Sequence, residues 1–277
     1  MRIDSHQHFW KFDPVRDSWI DDNMSALRRD FLPEDLDPLL RENEIAGCVA
    51  IQADQSENET LFLTDLARKH DLIKGVVGWV DLCGSNIVER LEYFSTFKSL
   101  KGFRHIIQAE PEPDFILRTD FCRGIAKLQK FDFTYDLLIL PRNLPYLPKF
   151  ISKFPDQKFV IDHLAKPNIR KGEVEEWQQY MRKVAAFENV HCKLSGMVTE
   201  ADLHHWKPAD FKPYVDVVIE SFGIERVMFG SDWPVCLLGA SYKQACSILD
   251  NNTKHLTDIE KDKLWGQNAT KFYGLEV

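Results

Sequence analysis

Eight short apolar runs recur along the chain, separated by longer amphipathic segments, and this alternation limits the fold more than any other feature. The runs begin near Arg2 (RIDSH), Ile45 (IAGCVAIQA), Leu72 (LIKGVVGWV), Gly102 (GFRHI), Phe133 (FTYDLLIL), Lys158 (KFVIDH), Val190 (VHCKLS) and Arg226 (RVMFGSD). Strands that alternate with helices build parallel sheets, because a parallel neighbour is reached only through a crossover. Eight parallel strands close into a barrel whose interior the side chains just fill. An open doubly wound sheet would place a glycine-rich phosphate loop after its first strand, where this chain has HQHFW. The expected fold is a (β/α)8 TIM-type barrel, with room for some distortion. Residues 1–277 form one domain on this reading, since such a barrel typically needs about 250 residues.

Helix signals fit between the runs. Ser56 and Glu59 have capping-box spacing ahead of SENETLFLTDLARKH, and Thr257 with Glu260 opens TDIEKDKLWGQNATKFYG, which Gly274 closes. EEWQQYMRKVAAF and PYVDVVIESF follow a period of about 3.6 residues. The segment from Phe9 to Phe31 is long for a barrel loop and carries Trp10 and Trp19, so it is expected to cover the barrel mouth.

Charge narrows the partners. Lys plus Arg number 35 against 43 Asp plus Glu, a net −8. An acidic surface disfavours nucleic acid and anionic membranes, and suits an enzyme of small molecules, with self-association left open. No apolar run approaches the about 20 residues of a membrane span. The first strand and the HQH sequence occupy residues 2–8, leaving no room for a signal peptide. The six cysteines, Cys48, Cys83, Cys122, Cys192, Cys236 and Cys246, form no CxxC or CxxH pair and read as reduced thiols. The expected compartment is the cytoplasm.

The ionisable residues gather at strand ends. Two residues apart on a strand point the same way, so His6 and His8 converge on one point inside the barrel mouth. Neutral imidazole is a good ligand for zinc and similar ions. His163 ends the run FVIDH, and Asp232 follows the last run in FGSDWP. Taken singly, each is as well explained by a core histidine or a turn aspartate. In a closed barrel, however, the C-terminal ends of strands one, six and eight open on one mouth, where such enzymes carry their sites. Other strand-end groups are candidates to bind substrate. Arg104 would orient an oxygen and Gln52 a hydroxyl, while Lys193 and Ser195 share one side of strand seven. Trp10, Trp79 and Trp233 would offer ring faces. Lys166 reads as loop support. Asp4 shares parity with His6 and His8, and is expected to fix a histidine tautomer.

IDSHQH, DHLAKP, CKLSG, FGSDWP and the closing NATKFYGL, taken in this order, resemble the amidohydrolase superfamily. The similarity is to its amidohydrolase 2 branch, which contains sugar lactonases of the fuconolactonase and rhamnonolactonase type. The resemblance spans residues 2–275 and implies a barrel that hydrolyses a lactone ring. It implies His6 and His8 as metal-site histidines, His163 as an active-site histidine and Asp232 as the proton-shuttling carboxylate. One departure matters. Many members carry a histidine after strand five and often a lysine or glutamate after strand four, where this chain has FTYDLLIL and GFRH. His105 could fill in, and only one of Tyr135 and Asp136 can point inward. The expected metal is therefore at most one divalent ion, zinc first, on His6, His8 and Asp232, and a metal-free reaction stays open. The substrate reading is a neutral aldonolactone, such as that of a 6-deoxy sugar, because a dicarboxylate lactone would call for paired arginines and only Arg104, with Arg142 just beyond strand five, is at hand. The alternatives are a metal-dependent decarboxylase on the same residues and a non-catalytic binding barrel.

Overall fold

The computed structural model describes residues 1–276. Eight strands run in chain order around one parallel sheet: β1 (Arg2–Gln7), β2 (Ile45–Ile51), β3 (Ile73–Gly78), β4 (Leu100–His105), β5 (Thr134–Leu137), β6 (Phe159–Ile161), β7 (Val190–Leu194) and β8 (Val227–Phe229). The chain beyond β8 returns to β1. Asp232 N–H donates to His6 O at 2.8 Å and His8 N–H to Trp233 O at 2.7 Å, which draws the ring together at its C-terminal end. Helices α1 (Pro33–Glu42), α2 (Glu57–Lys69), α3 (Ile87–Phe94), α4 (Thr119–Leu128), α5 (Leu147–Ile151), α6 (Glu175–Ala185), α7 (Pro208–Phe222) and α8 (Tyr242–Asn252) connect the strands. Aromatic side chains such as Phe103, Phe121, Tyr135, Phe150 and Phe159 fill the layer between helices and sheet.

The last helical stretch follows α8 and runs through α9 (Asp258–Asp262), a π-helical turn (Lys263–Gln267) and α10 (Asn268–Tyr273), ending at Gly274 in the left-handed region. It packs across the N-terminal end of the barrel. Ala269, Phe272, Tyr273 and Leu275 form one apolar cluster with the inward-facing Ile3, Val49, Val77, Val160 and Met228. Thr257 and Glu260 make the expected reciprocal cap. At α2 only half of the expected box forms: Ser56 Oγ accepts from Glu59 N–H at 3.2 Å, but the Glu59 carboxylate turns to the amides of Ala53 and Asp54. No helix among the described residues is long and apolar enough to cross a membrane.

β1 carries a bulge. Asp4 pairs with Cys48 and Gln7 with Ala50, so three steps on β1 match two on β2. A bulge reverses the inside–outside alternation beyond it. Ile3 faces the barrel interior before it and His6 after it. Asp4 is thereby turned out towards α8, which corrects its expected parity with His6. Its carboxylate accepts from Ser231 N–H and Oγ, from Tyr242 Oη and from the His6 backbone N–H, and touches no imidazole.

Candidate active site

The four residues singled out at strand ends meet. His6 Nε2 lies 3.2 Å from His8 Nε2, and Asp232 Oδ1 lies 3.3 Å from His8 Nε2, 3.8 Å from His6 Nε2 and 3.9 Å from His163 Nε2. All four are buried. Their seats depend on close backbone approach. A methyl on Gly230 would come within 2.6 Å of His6 Cβ. One on Gly196, at φ +60°, would come within 2.3 Å of His163 Nδ1.

His163 sits in an unusual turn. His163, Leu164, Ala165 and Lys166 have φ of 53°, 53°, 58° and 52° in succession, a left-handed turn built without glycine. Left-handed helical backbone costs roughly 1–2 kcal/mol per L-residue. The turn is held by Lys166 N–H on His163 O and by Trp177 Nε1–H on Leu164 O, each at 2.7 Å, and by the His163 Nδ1–Ser195 Oγ contact at 2.9 Å. Both its first and last side chains, His163 and Lys166, line the same cavity. Asp232 is also left-handed, at φ +58°.

That cavity is about 270 Å3. Its polar wall is His8, Arg104, Gln108, His163, Lys166 and Asp232, and Trp10, Trp19, Ile106, Leu138 and Val235 give an apolar one. The Phe9–Phe31 loop thus contributes both of its tryptophans. A larger groove of about 660 Å3 lies outside the barrel between Pro141–Pro145 and α6, and contains none of the strand-end histidines.

Several expected substrate contacts lie elsewhere. Gln52 is fully buried, and its carboxamide and carbonyl oxygens accept from Arg104. Trp79 lies outside the cavity lining and donates from Nε1 to His105 Nδ1 at 3.3 Å. His105 Nε2 is 2.6 Å from Glu110, so it braces the loop after β4 and does not fill the missing metal-ligand position. Trp233 is packed between Phe9 and Phe31. Arg142 donates to the carbonyls of Gln108, Glu110 and Pro111, which fastens a loop and leaves no clamp for substrate. Lys193 is entirely buried and away from the cavity: it has the expected inward parity but lies one layer too deep. Its Nζ is 2.5 Å from Asp136 Oδ2, 3.0 Å from Asp162 Oδ1 and 3.2 Å from His6 Nδ1.

Two polar residues of this layer escaped the sequence reading and a third was left undecided by it. Asp162, at the inward parity of β6, accepts from Arg104 at 3.0 Å and lies 3.3 Å from His6 Nδ1. Its signal was present, one position before His163 in FVIDH. Asp136, left open against Tyr135, is the inward-facing one. Tyr273 reaches up from α10 to donate to Asp136 at 2.7 Å, a contact with no sequence signal.

Electrostatics follow from burial and neighbours. Burial lowers the His163 pKa to about 4 and pushes His6 well below its ordinary value, so both rings are neutral near pH 7. Burial pushes Asp232 upward, but His163, His8 and His6 outweigh it and hold the carboxylate below its ordinary range. At Asp162 burial is likewise outweighed, by Lys193, His6 and Arg104. Asp136 is raised to about 6, burial prevailing over the attraction of Lys193.

The donor set fits a metal ion. Zinc bonds of about 2.0–2.2 Å in a tetrahedral shell place neighbouring ligand atoms roughly 3.3 Å apart. The His6–His8–Asp232 separations of 3.2, 3.3 and 3.8 Å bracket that value. His8 Nδ1 lies 2.9 Å from the carbonyl of Ile51, which puts its proton there and leaves Nε2 free as a ligand.

Comparison with known proteins agrees with this geometry. A family model described as "Amidohydrolase" matches residues 3–275. The chain is 38% identical over 286 aligned residues to an L-fucono-1,5-lactonase of Burkholderia multivorans, covering 99% of this chain and 96% of the relative. It is 34% identical to an L-fucono-1,5-lactonase of Burkholderia ambifaria, with the same 99% and 96% coverage. A crystal structure of an amidohydrolase from Burkholderia multivorans with bound zinc superposes with a TM-score of 0.96 at 38% identity, covering 100% of both chains.

Proposed function

The chain belongs to the amidohydrolase family, and we propose that it opens a small neutral sugar lactone, such as that of a 6-deoxy sugar, to the aldonic acid. The observation that carries this reading is the convergence of His6, His8, His163 and Asp232 at the floor of a half-apolar cavity large enough for one sugar ring. The lactonase relatives align over nearly the whole chain and favour it over the decarboxylase alternative.

Ionised Asp232 accepts the proton of the attacking water and returns it to the ring oxygen as the acyl–oxygen bond breaks. In the tautomer in which Ser195 donates to Nδ1, His163 carries its proton on Nε2 and donates to the developing oxyanion. A divalent ion, zinc first, held by His6, His8 and Asp232 would supply Lewis-acid polarisation of the carbonyl. Trp10 and Trp19 face the apolar side of the ring and exclude water. Both cavity cations are already committed, Arg104 to Asp162 and Gln52 and Lys166 to Glu200 at 3.2 Å, so neither is free to pair with a substrate carboxylate. The free cysteines suit a reducing cytoplasm, where we place this step of sugar breakdown.

The test is kcat/KM for neutral aldonolactones beside dicarboxylate lactones, near neutral pH and corrected for spontaneous opening. The neutral class is expected to be turned over faster. A dicarboxylate lactone outrunning every neutral one would overturn the substrate assignment, and failure of both classes would overturn the lactonase reading.

A further inference from the structure

We propose that the Lys193 ammonium is a built-in second cation of this site: it fills a donor pocket that would otherwise hold a second divalent ion, and so limits the chain to one. The inference rests on the metal reading of His6, His8 and Asp232 given above. Lysine is rarely fully buried unless paired, and Lys193 is fully buried. Its Nζ stands where β1, β5 and β6 point together, against His6 Nδ1, Asp136 Oδ2 and Asp162 Oδ1. One imidazole nitrogen, once it has released its proton, and two carboxylate oxygens are donor types that hold metal ions. Here a compact, tethered charge stands at their centre.

The pocket is richer in acceptors than one ammonium satisfies. Asp136 Oδ1 is buried without a hydrogen-bond partner, and Asp162 Oδ1 meets Nζ at 3.0 Å as an ion pair without an aligned hydrogen bond. Charge tells the same story. Inside the barrel Asp136, Asp162 and Asp232 face Arg104 and Lys193, which leaves one net negative charge. One divalent ion beside His8 turns that into one net positive charge. A second ion added to a resident ammonium would leave a large uncompensated positive charge in a desolvated space. With the ammonium gone, the same carboxylates lack a counter-charge, and His6 Nδ1 becomes a ligand for metal as its proton is released to solvent.

The experiment compares wild type with Lys193→Ala, each stripped with chelator, re-equilibrated with zinc and separated from free metal by gel filtration. Elemental analysis is expected to find one more zinc per chain in the variant than in wild type. The melting temperature of the variant in chelator is expected to fall, because Asp136 and Asp162 lose their partner, and to recover on zinc addition. Adding Asp136→Asn to Lys193→Ala should remove the extra ion. Equal zinc in wild type and Lys193→Ala would overturn the proposal, as would a Lys193→Ala chain that is unfolded in chelator and not restored by two equivalents of zinc. The difference between variant and wild type carries the inference. A wild type without zinc would count against the metal reading, and inactivity on lactones against the lactonase reading, and each is separable from this result.

Discussion

The two ends of the barrel use the same inward-facing strand positions for opposite purposes. At the N-terminal end Ile3, Val49, Val77, Val160 and Met228 pack against Phe272 and Leu275, with no charge in the layer. A few ångströms on, the next inward residues are His6, Arg104, Asp136, Asp162 and Lys193. Apolar burial stabilises at about 25 cal/mol per Å2 whatever the neighbour. Buried charges must be matched almost atom for atom, and breaking one pair is costly. The apolar end therefore supplies stability, and the charged end spends some of it on left-handed backbone and desolvated ions.

The contrast can be broken most sharply at Asp232. Asp232→Asn should lower kcat roughly 10²–10⁴-fold while circular dichroism stays close to wild type, as does the unfolding midpoint when both proteins are compared in chelator. A folded variant with near-wild-type kcat would remove Asp232 from the acid–base role. The opposite end should give the opposite pattern. Phe272→Ala is expected to lose about 3–5 kcal/mol of stability by urea unfolding, with kcat and KM per folded molecule unchanged within about twofold. A drop in kcat alongside would show that the plug tunes the chemistry.

Metal removal comes next in size. An ion present at 100 times its Kd stabilises the native state by about 2.7 kcal/mol. Exhaustive chelation should therefore lower the melting temperature and the activity together. Elemental analysis of the wild type should find no more than one tightly held ion, and two would refute the single-ion assignment. Full activity without metal would leave His6 and His8 as hydrogen-bonding groups.

The smallest effect is acid lability, and it touches both ends. Burial lowers His163 at the site and His191 beside Phe272 to about 4. Each native ring stays neutral while the unfolded chain takes up a proton below about 6.5. Their contribution is thus present above pH 6.5 and lost as pH falls towards 4. Between pH 7 and 5 the loss is roughly 2 kcal/mol per histidine. His191→Leu should lose about that much less than wild type in urea melts over this interval, with activity preserved. An unchanged pH dependence would place the acid sensitivity elsewhere.

The strands and the strand-end histidines were legible because they rest on local pattern: apolar runs, a two-residue period and the order of motifs. Depth was not legible. Parity put Lys193 on the correct side of β7, yet only the tilt and stagger of neighbouring strands decide that it stops beneath His6 while Ser195, two residues on, reaches His163. The β1 bulge was hidden for a related reason, since it exists only in register with β2, and it reversed the side expected for Asp4. The left-handed turn at His163 has no glycine or asparagine to announce it. Glu59 was read as a partner of its own helix cap, but two unpaired amides at Ala53 and Asp54 offered it better donors.

The closing helix has a consequence for biosynthesis. His6 is synthesised well before Tyr273, which caps the Asp136–Lys193 pair from below. Until α10 docks, the charged stack lacks its floor and stays open to water from beneath. A nascent chain can therefore carry all of its cavity-lining residues and still hold His6 loosely, so the site matures only after α10 has been made and has docked. Fusions appended close behind Leu275, itself buried against the barrel, would act on that last step before they disturbed any residue of the cavity.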